Sequence, residues 1–311
     1  MSPNAKRSRG RPPTTPIERL RVSIWSMDAQ ARSNLETAEA FEQVLNANGI
    51  EPIITKGQWS RHMRGDVSPQ GSKSNAQSSL LLHVERLYPG TMETFNHPVW
   101  RLLDFEVLFG PRELQQIYFS MDESIWQSFH FSQEFCNEGS RPEDLFFWRK
   151  PPTDHDELRD ILDSIQGLNG VAVGLIEARM AYLAQKPTMC IFYMTQITLA
   201  LRNCHRTMPF LADVKGQTIL LTLEGMCILE AVKLFSHLPQ QPIENQRILS
   251  DKKMPTSAQE YVFDLYDSWE KRCLKHITKL SPKALDTFQI WNNEIARYQG
   301  LINWQILNVP G

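Results

Sequence analysis

Apolar residues recur at three- and four-residue spacing along almost the whole chain, and apolar/polar alternation is nearly absent. That period belongs to helices packed through one face and leaves little room for strands. Ile17, Leu20, Ile24, Met27 and Ala31 form the first stripe. Ahead of it, Thr15-Pro16-Ile17-Glu18 supplies a capping hydroxyl, a proline at the first helical position and a glutamate at N3, a capping box. The pattern predicts three more short helices over about 35–46, 55–63 and 75–87. Phe41 and Leu45 lie in the first, Trp59 in the second, and Leu80, Val84 and Leu87 in the third. Tyr88-Pro89-Gly90-Thr91 reads as a turn.

Helical patterning continues beyond this module. His97-Pro98 opens a helix through Trp100, Leu103 and Val107, and longer helices are expected near 156–165, 171–185, 189–203 and 217–236. Pro151-Pro152 marks a hinge or loop near 149–155. Ser257-Ala258-Gln259-Glu260 is a second capping box, leading into Trp269 and Cys273. Ser281-Pro282 opens a last helix carrying Phe288, Trp291 and Tyr298.

Composition removes several classes. With 41% hydrophobic and 22% charged residues, the 311-residue chain is neither fully disordered, collagen-like nor a coiled-coil rod. Five cysteines, an odd number without a CxxC pair, argue against a secreted disulfide framework, a zinc ribbon and thioredoxin-like chemistry. The most apolar run, Met189 to Leu201, is short of the roughly 20 residues a membrane span needs. The basic N-terminus lacks an apolar signal-peptide segment. These features predict a cytoplasmic, nucleoid-associated protein with no membrane partner.

Charge is unevenly placed. Residues 1–100 hold 12 Lys/Arg against 9 Asp/Glu, a net of +3. Subtraction from totals of 33 and 35 leaves 21 against 26, a net of −5, for residues 101–311. A basic front suits a polyanion. Residues 1–14 are expected to be a disordered tail, and Arg9-Gly10-Arg11-Pro12 within them resembles the core of an AT-hook. The resemblance implies that Arg9 and Arg11 enter a narrow A·T-rich minor groove while Gly10 lets the backbone lie flat against its floor. Lys6 and Arg7 would add phosphate contacts. Ser8 stands where the fullest form of the motif has proline.

The segment Thr55-Lys56-Gly57-Gln58-Trp59-Ser60-Arg61-His62-Met63-Arg64-Gly65, with Pro69 after it, resembles the third helix and loop of lambda-repressor-like (XRE-type) helix-turn-helix domains. The similarity spans about residues 15–90. It implies that residues 37–46 form the positioning helix and residues 55–64 the recognition helix. The connection from Asn46 to Ile54 is longer than the tight turn usual in that family. On a helix with Trp59 facing the core, Met63 lies about 40° away, whereas Gln58, Ser60, Arg61 and Arg64 fan out about 100–260° from it. Arg and Gln pair bidentately with guanine and adenine edges. Lys56 would meet phosphate, and amides at the Thr55 end would face another. Simpler roles stand beside these. Gln58 completes a capping box with Thr55, the arginines form a solvated face, Trp59 is core, and His62 is a half-exposed packing residue. The opening also resembles a bacterial family with no assigned activity, through RGRP, Thr-Pro-x-Glu, Trp25, Trp59…Gly65…Pro69 and Tyr88-Pro89-Gly90-Thr91 before His97-Pro98-Val99-Trp100.

Catalytic constellations are weak. Asp154-His155-Asp156-Glu157 fits a helix N-terminus, where acids are favoured. His130 and Glu134 share a helical face but lack a third ligand. Adjacent Cys204 and His205 diverge by about 100° and cannot pair with each other. Gly167, Gly170 and Gly174 do not form a nucleotide fingerprint and instead predict a turn and a close helix contact. No enzyme and no cofactor are expected.

The expected fold is all-α, with an N-terminal four-helix helix-turn-helix-like module over 15–95 and a larger helical domain over 96–311. The expected function is that of a DNA-binding bacterial transcriptional regulator. It would act on double-stranded DNA as a homodimer, and its C-terminal domain would take a protein partner or small ligand. The alternative is a non-enzymatic interaction or scaffold subunit of a mobile-element or defence system, its basic N-terminus contacting RNA or a protein.

Overall fold

A computed structural model describes residues 15–48, 53–69, 80–104, 107–128, 155–184, 186–236 and 258–280. All regular structure among them is helical, with no strand, as the apolar period requires. The chain divides into two compact units, 1–96 and 97–311.

The first unit contains α1 (Pro16–Ser33), α2 (Ala38–Ala47), α3 (Gln58–Met63), α4 (Leu80–Leu87) and α5 (Thr91–Asn96). Thr15 caps α1 as expected, its Oγ1 accepting from the Glu18 N–H at 3.2 Å. The reciprocal half of the box is replaced, because the Glu18 carboxylate turns to the Ser68 hydroxyl at 3.1 Å and to Arg21 at 3.5 Å. Helix α2 starts later than its apolar pattern suggests because Thr37 caps it, accepting from the Ala40 N–H at 3.1 Å. Helix α5 stands where only a turn is expected. The Glu85 carboxylate nucleates it, accepting from the Gly90 N–H at 2.8 Å, the Thr91 hydroxyl at 2.9 Å and the Met92 N–H at 2.7 Å.

Trp25, Phe41, Trp59 and Phe95 are fully enclosed at the centre of this unit. The Trp25 ring meets Trp59 edge-on with centroids 5.3 Å apart, and Phe41 lies 4.2 Å from Trp59 on another side. Each such side chain contributes about 1.5–3 kcal/mol by leaving water. Pairs of rings in these orientations add about 0.5–1.5 kcal/mol.

The second unit contains α6 (Val99–Leu102), α7 (Pro111–Phe119), α8 (Glu123–Ser128), α9 (His155–Ser164), α10 (Gly167–Leu183), α11 (Pro187–Thr207), α12 (Val214–Ser236) and α13 (Ala258–Ile277). The helix expected to run from His97 to Val107 ends at Leu102, and Val107 is exposed. Helices α7 and α8 were not foreshadowed by the apolar pattern. The four helices expected between 156 and 236 appear as α9 to α12, and α13 follows the second capping box. The last expected helix, from Ser281, lies outside the described residues, as do residues 149–154 of the expected hinge.

Helix α10 is buried on nearly every face. It packs on α11 at two of the three glycines that sequence spacing singles out: a Cβ on Gly174 would stand 2.4 Å from Ile197 Cγ1, and one on Gly170 would stand 3.2 Å from Ala200 Cβ. Between α10 and α12, Arg179 pairs with Glu230 at 2.7 Å, both buried. The same guanidinium donates to the Leu102 carbonyl at 2.6 Å and lies 4.6 Å from the Phe109 ring centre.

Candidate nucleic-acid interface

Helix α3 is short, six residues, and begins after Gly57, whose φ of +76° suits glycine. Its N-terminus is capped from α2. The Glu42 carboxylate, itself buried, accepts from the Gly57 N–H at 2.9 Å and from the Trp59 N–H at 2.7 Å. The Thr55 N–H donates to Gln58 Oε1 at 2.9 Å. These amides therefore have acceptors within the protein, which corrects the expectation that they face a phosphate.

Trp59 and His62 point inward and are fully buried, and Met63 packs against the same core. His62 was expected to be half-exposed. Instead, its Nδ1 lies 2.7 Å from the Val67 carbonyl, which can only accept, so Nδ1 carries the proton. Burial pushes the His62 pKa down, and the neighbouring Arg61 charge acts in the same direction. The ring is a neutral core group that ties the end of α3 to the loop after it.

The outward residues divide into three kinds. Lys56 and Arg61 are exposed, and Ser60 is partly exposed between them. Gln58 is half-buried and engaged locally: its Oε1 also accepts from the Thr55 hydroxyl at 3.1 Å, and its Nε2 lies 3.4 Å from His62 Nε2. That is the capping role weighed against base contact. Arg64 is exposed but pairs with Asp66 at 2.8 Å. Of the residues assigned to DNA on this helix and its flanks, Lys56, Ser60 and Arg61 are the ones presented without such engagement. Lys6, Arg7, Arg9, Gly10 and Arg11 lie outside the described residues.

Two local devices hold α3 in place, and neither was visible in sequence. The long connection from α2 is clamped by Asn46, whose Oδ1 accepts from the Ile53 N–H at 2.9 Å and whose Nδ2 donates to the Ile54 carbonyl at 3.0 Å. At the other end Gly65, with φ +70°, lies so close to α1 that a Cβ would stand 2.5 Å from the Arg19 carbonyl oxygen. The root of the tail at Thr15 is one helical turn from Arg19, about 6 Å along the axis. The start of α1 therefore lies beside the end of α3, and Arg19, which is exposed, joins Lys56 and Arg61 as a cation of this region.

The other sequence candidates do not assemble. Cys204 is buried, and desolvation pushes its thiol up to about 12, away from the thiolate form a nucleophile needs. His205 Nδ1 lies 2.8 Å from the Arg202 carbonyl. His130, Glu134 and Asp154 lie outside the described residues. Among the described residues, no group of three or more His, Cys, Asp or Glu could hold a metal ion, and no helix is long and apolar enough to cross a membrane. Compared with protein-family models, curated proteins and solved structures, the chain matches none.

Proposed function

We propose that the chain is a DNA-binding protein, a transcriptional regulator in which the first unit offers α3 to the major groove and the basic tail to the minor groove. The observation that carries this reading is the packing of Gly65 on Arg19. It sets the start of α1, which follows the basic and acid-free residues 1–14, beside the end of α3, whose outer face carries the exposed Arg61 and which Lys56 shortly precedes. Arg61 is the base-contacting residue, Ser60 assists it, and Lys56 and Arg19 meet phosphates. Gln58 and Arg64 act at one remove, by holding the helix start and its exit loop. A module of this size reads few base pairs, so two copies on a two-fold site supply the specificity.

The test is selection from random duplexes at physiological salt, with the full chain and with Arg9→Ala/Arg11→Ala. An enriched palindrome whose A·T-rich flanks are lost in the double variant supports the assignment. Failure of both proteins to enrich any duplex overturns it, and the basic front then serves an RNA or an acidic protein partner.

A further inference from the structure

We propose that the second unit carries a binding site for a small carboxylate with an apolar body, in a cleft bounded by α11, α12, α13 and the residues following the short 3-10 turn Pro209–Leu211. This goes beyond DNA binding and does not depend on it. The cleft has a volume of about 310 Å³. That is at the lower end for ligand pockets, enough for a compact one-ring or short-chain molecule.

Its lining is mixed. Leu201 and Leu220 provide apolar wall. One helical turn beyond Leu220 on α12, the Glu224 carboxylate is 4% exposed and faces two guanidiniums, those of Arg272 in direct contact and Arg202 at 3.6 Å. One carboxylate against two guanidiniums leaves one positive charge uncompensated within the cleft. Arg272 is held in place, its second terminal nitrogen donating to the Ser268 hydroxyl at 2.8 Å. Arg202 is not. Its distance from Glu224 exceeds a hydrogen bond, and 43% of its side chain is exposed. It therefore keeps its planar fork of donors for a ligand. His205 completes the polar side: with Nδ1 donating to the Arg202 carbonyl, Nε2 is left at the wall.

Charge selects the ligand class. A monoanion neutralises the surplus on Arg202, whereas a dianion brings a second negative charge toward Glu224, which is already buried. A neutral ligand leaves the guanidinium fork unmatched. The site therefore favours a carboxylate over a phosphate monoester and over an amide of the same shape.

Benzoate, benzamide and phenyl phosphate, titrated calorimetrically into the full-length protein, separate these cases. Benzoate is expected to saturate the protein at millimolar or lower concentration and to bind about tenfold tighter than benzamide, the difference expected from one charge-assisted hydrogen bond. Arg202→Ala is expected to abolish that difference while leaving the melting temperature of the free protein nearly unchanged, because the side chain is half in solvent. Equal binding of benzoate and benzamide, tighter binding of phenyl phosphate, unaltered benzoate binding in Arg202→Ala, or no benzoate binding at millimolar concentration each overturns the assignment. The benzoate–benzamide comparison stands even if the variant folds poorly.

Discussion

The backbone N–H of Trp59 donates a 2.7 Å hydrogen bond to the carboxylate of Glu42. One residue thus fixes the start of α3 from the side of α2, and the amide and carboxylate are enclosed together. Replacing Glu42 with alanine leaves the Gly57 and Trp59 amides without acceptors. Hydrogen bonds to charged groups contribute about 1.5–3 kcal/mol each, so a loss of about 3 kcal/mol is expected in urea unfolding followed by tryptophan fluorescence. Glu42→Gln keeps one acceptor and is expected to lose about half as much. A Glu42→Ala protein as stable as the parent would show that α3 does not need this cap.

Gly57 and Gly65 both sit at positive φ, +76° and +70°, but only Gly65 has backbone within reach of a Cβ. Gly57→Ala is therefore expected to cost only the left-handed penalty, about 1–2 kcal/mol. Gly65→Ala must in addition push α3 away from Arg19 and is expected to cost clearly more. Thermal unfolding of the two variants side by side checks the order. Equal melting temperatures would mean that α1 and the α3 exit loop yield without resistance.

Apolar spacing makes the existence of α1 and of α9 to α12 legible, but not which residues they bury: residues 22–29 of α1 are buried all round while Ala31 is exposed, and α10 is buried on nearly every face. Helix α5 was hidden because Gly90 looks like the end of something, and the carboxylate that turns it into a beginning belongs to Glu85, on the preceding helix. The partners of α3 were hidden for the same reason. Spacing can say that Trp59 is inward and Arg61 outward, but not that Glu42, seventeen residues away, or Arg19 would meet its ends. The burial of His62 is not legible in sequence, because a lone histidine carries no sign of the Val67 carbonyl that makes it tolerable. Arg64 looked available in sequence, although Asp66 stands two residues on.

That last pairing predicts a gain. Asp66→Asn removes a negative charge from the α3 exit and releases Arg64, so duplex DNA is expected to bind severalfold more tightly. The log–log salt slope should steepen by about 0.9, one further phosphate contact. Arg61→Ala is expected to lose about 1–3 kcal/mol on the preferred site with folding intact. Fluorescence anisotropy across a salt series reads both. No response to either substitution would take α3 away from DNA.

Burial pushes the pKa of His62 down, and desolvation does the same to His97, which is hydrogen-bonded to Asn169 at 2.8 Å. In the unfolded chain both titrate near 6.5, about the ordinary histidine value. Below that pH the unfolded state binds protons that the folded state refuses, so unfolding becomes easier as pH falls. Stability is expected to be flat above neutrality and to decline from about pH 6.5 downward. This precedes the carboxylate region, where Glu85, held below its ordinary value by its hydrogen bonds despite the opposing effect of burial, adds its own loss. Urea midpoints measured between neutrality and mildly acid pH are expected to fall in the parent and to fall less in His62→Gln. A midpoint that stays constant across that interval would place the histidines in water.

The Arg179–Glu230 pair separates two ways of losing an ion pair. Arg179→Met removes the cation from a carboxylate only 3% exposed, and breaking a buried pair this way costs about 3–5 kcal/mol. Glu230→Gln keeps a hydrogen-bond acceptor for Arg179, which still has the Leu102 carbonyl and the Phe109 ring, so a smaller loss is expected. The double variant Arg179→Met/Glu230→Leu has no charge left to bury and is expected to regain most of the stability lost by Arg179→Met alone. A thermal-unfolding cycle over the parent, Arg179→Met, Glu230→Leu and the double variant measures the coupling. If the two substitutions simply add, the pair makes no specific contribution to the stability of the second unit.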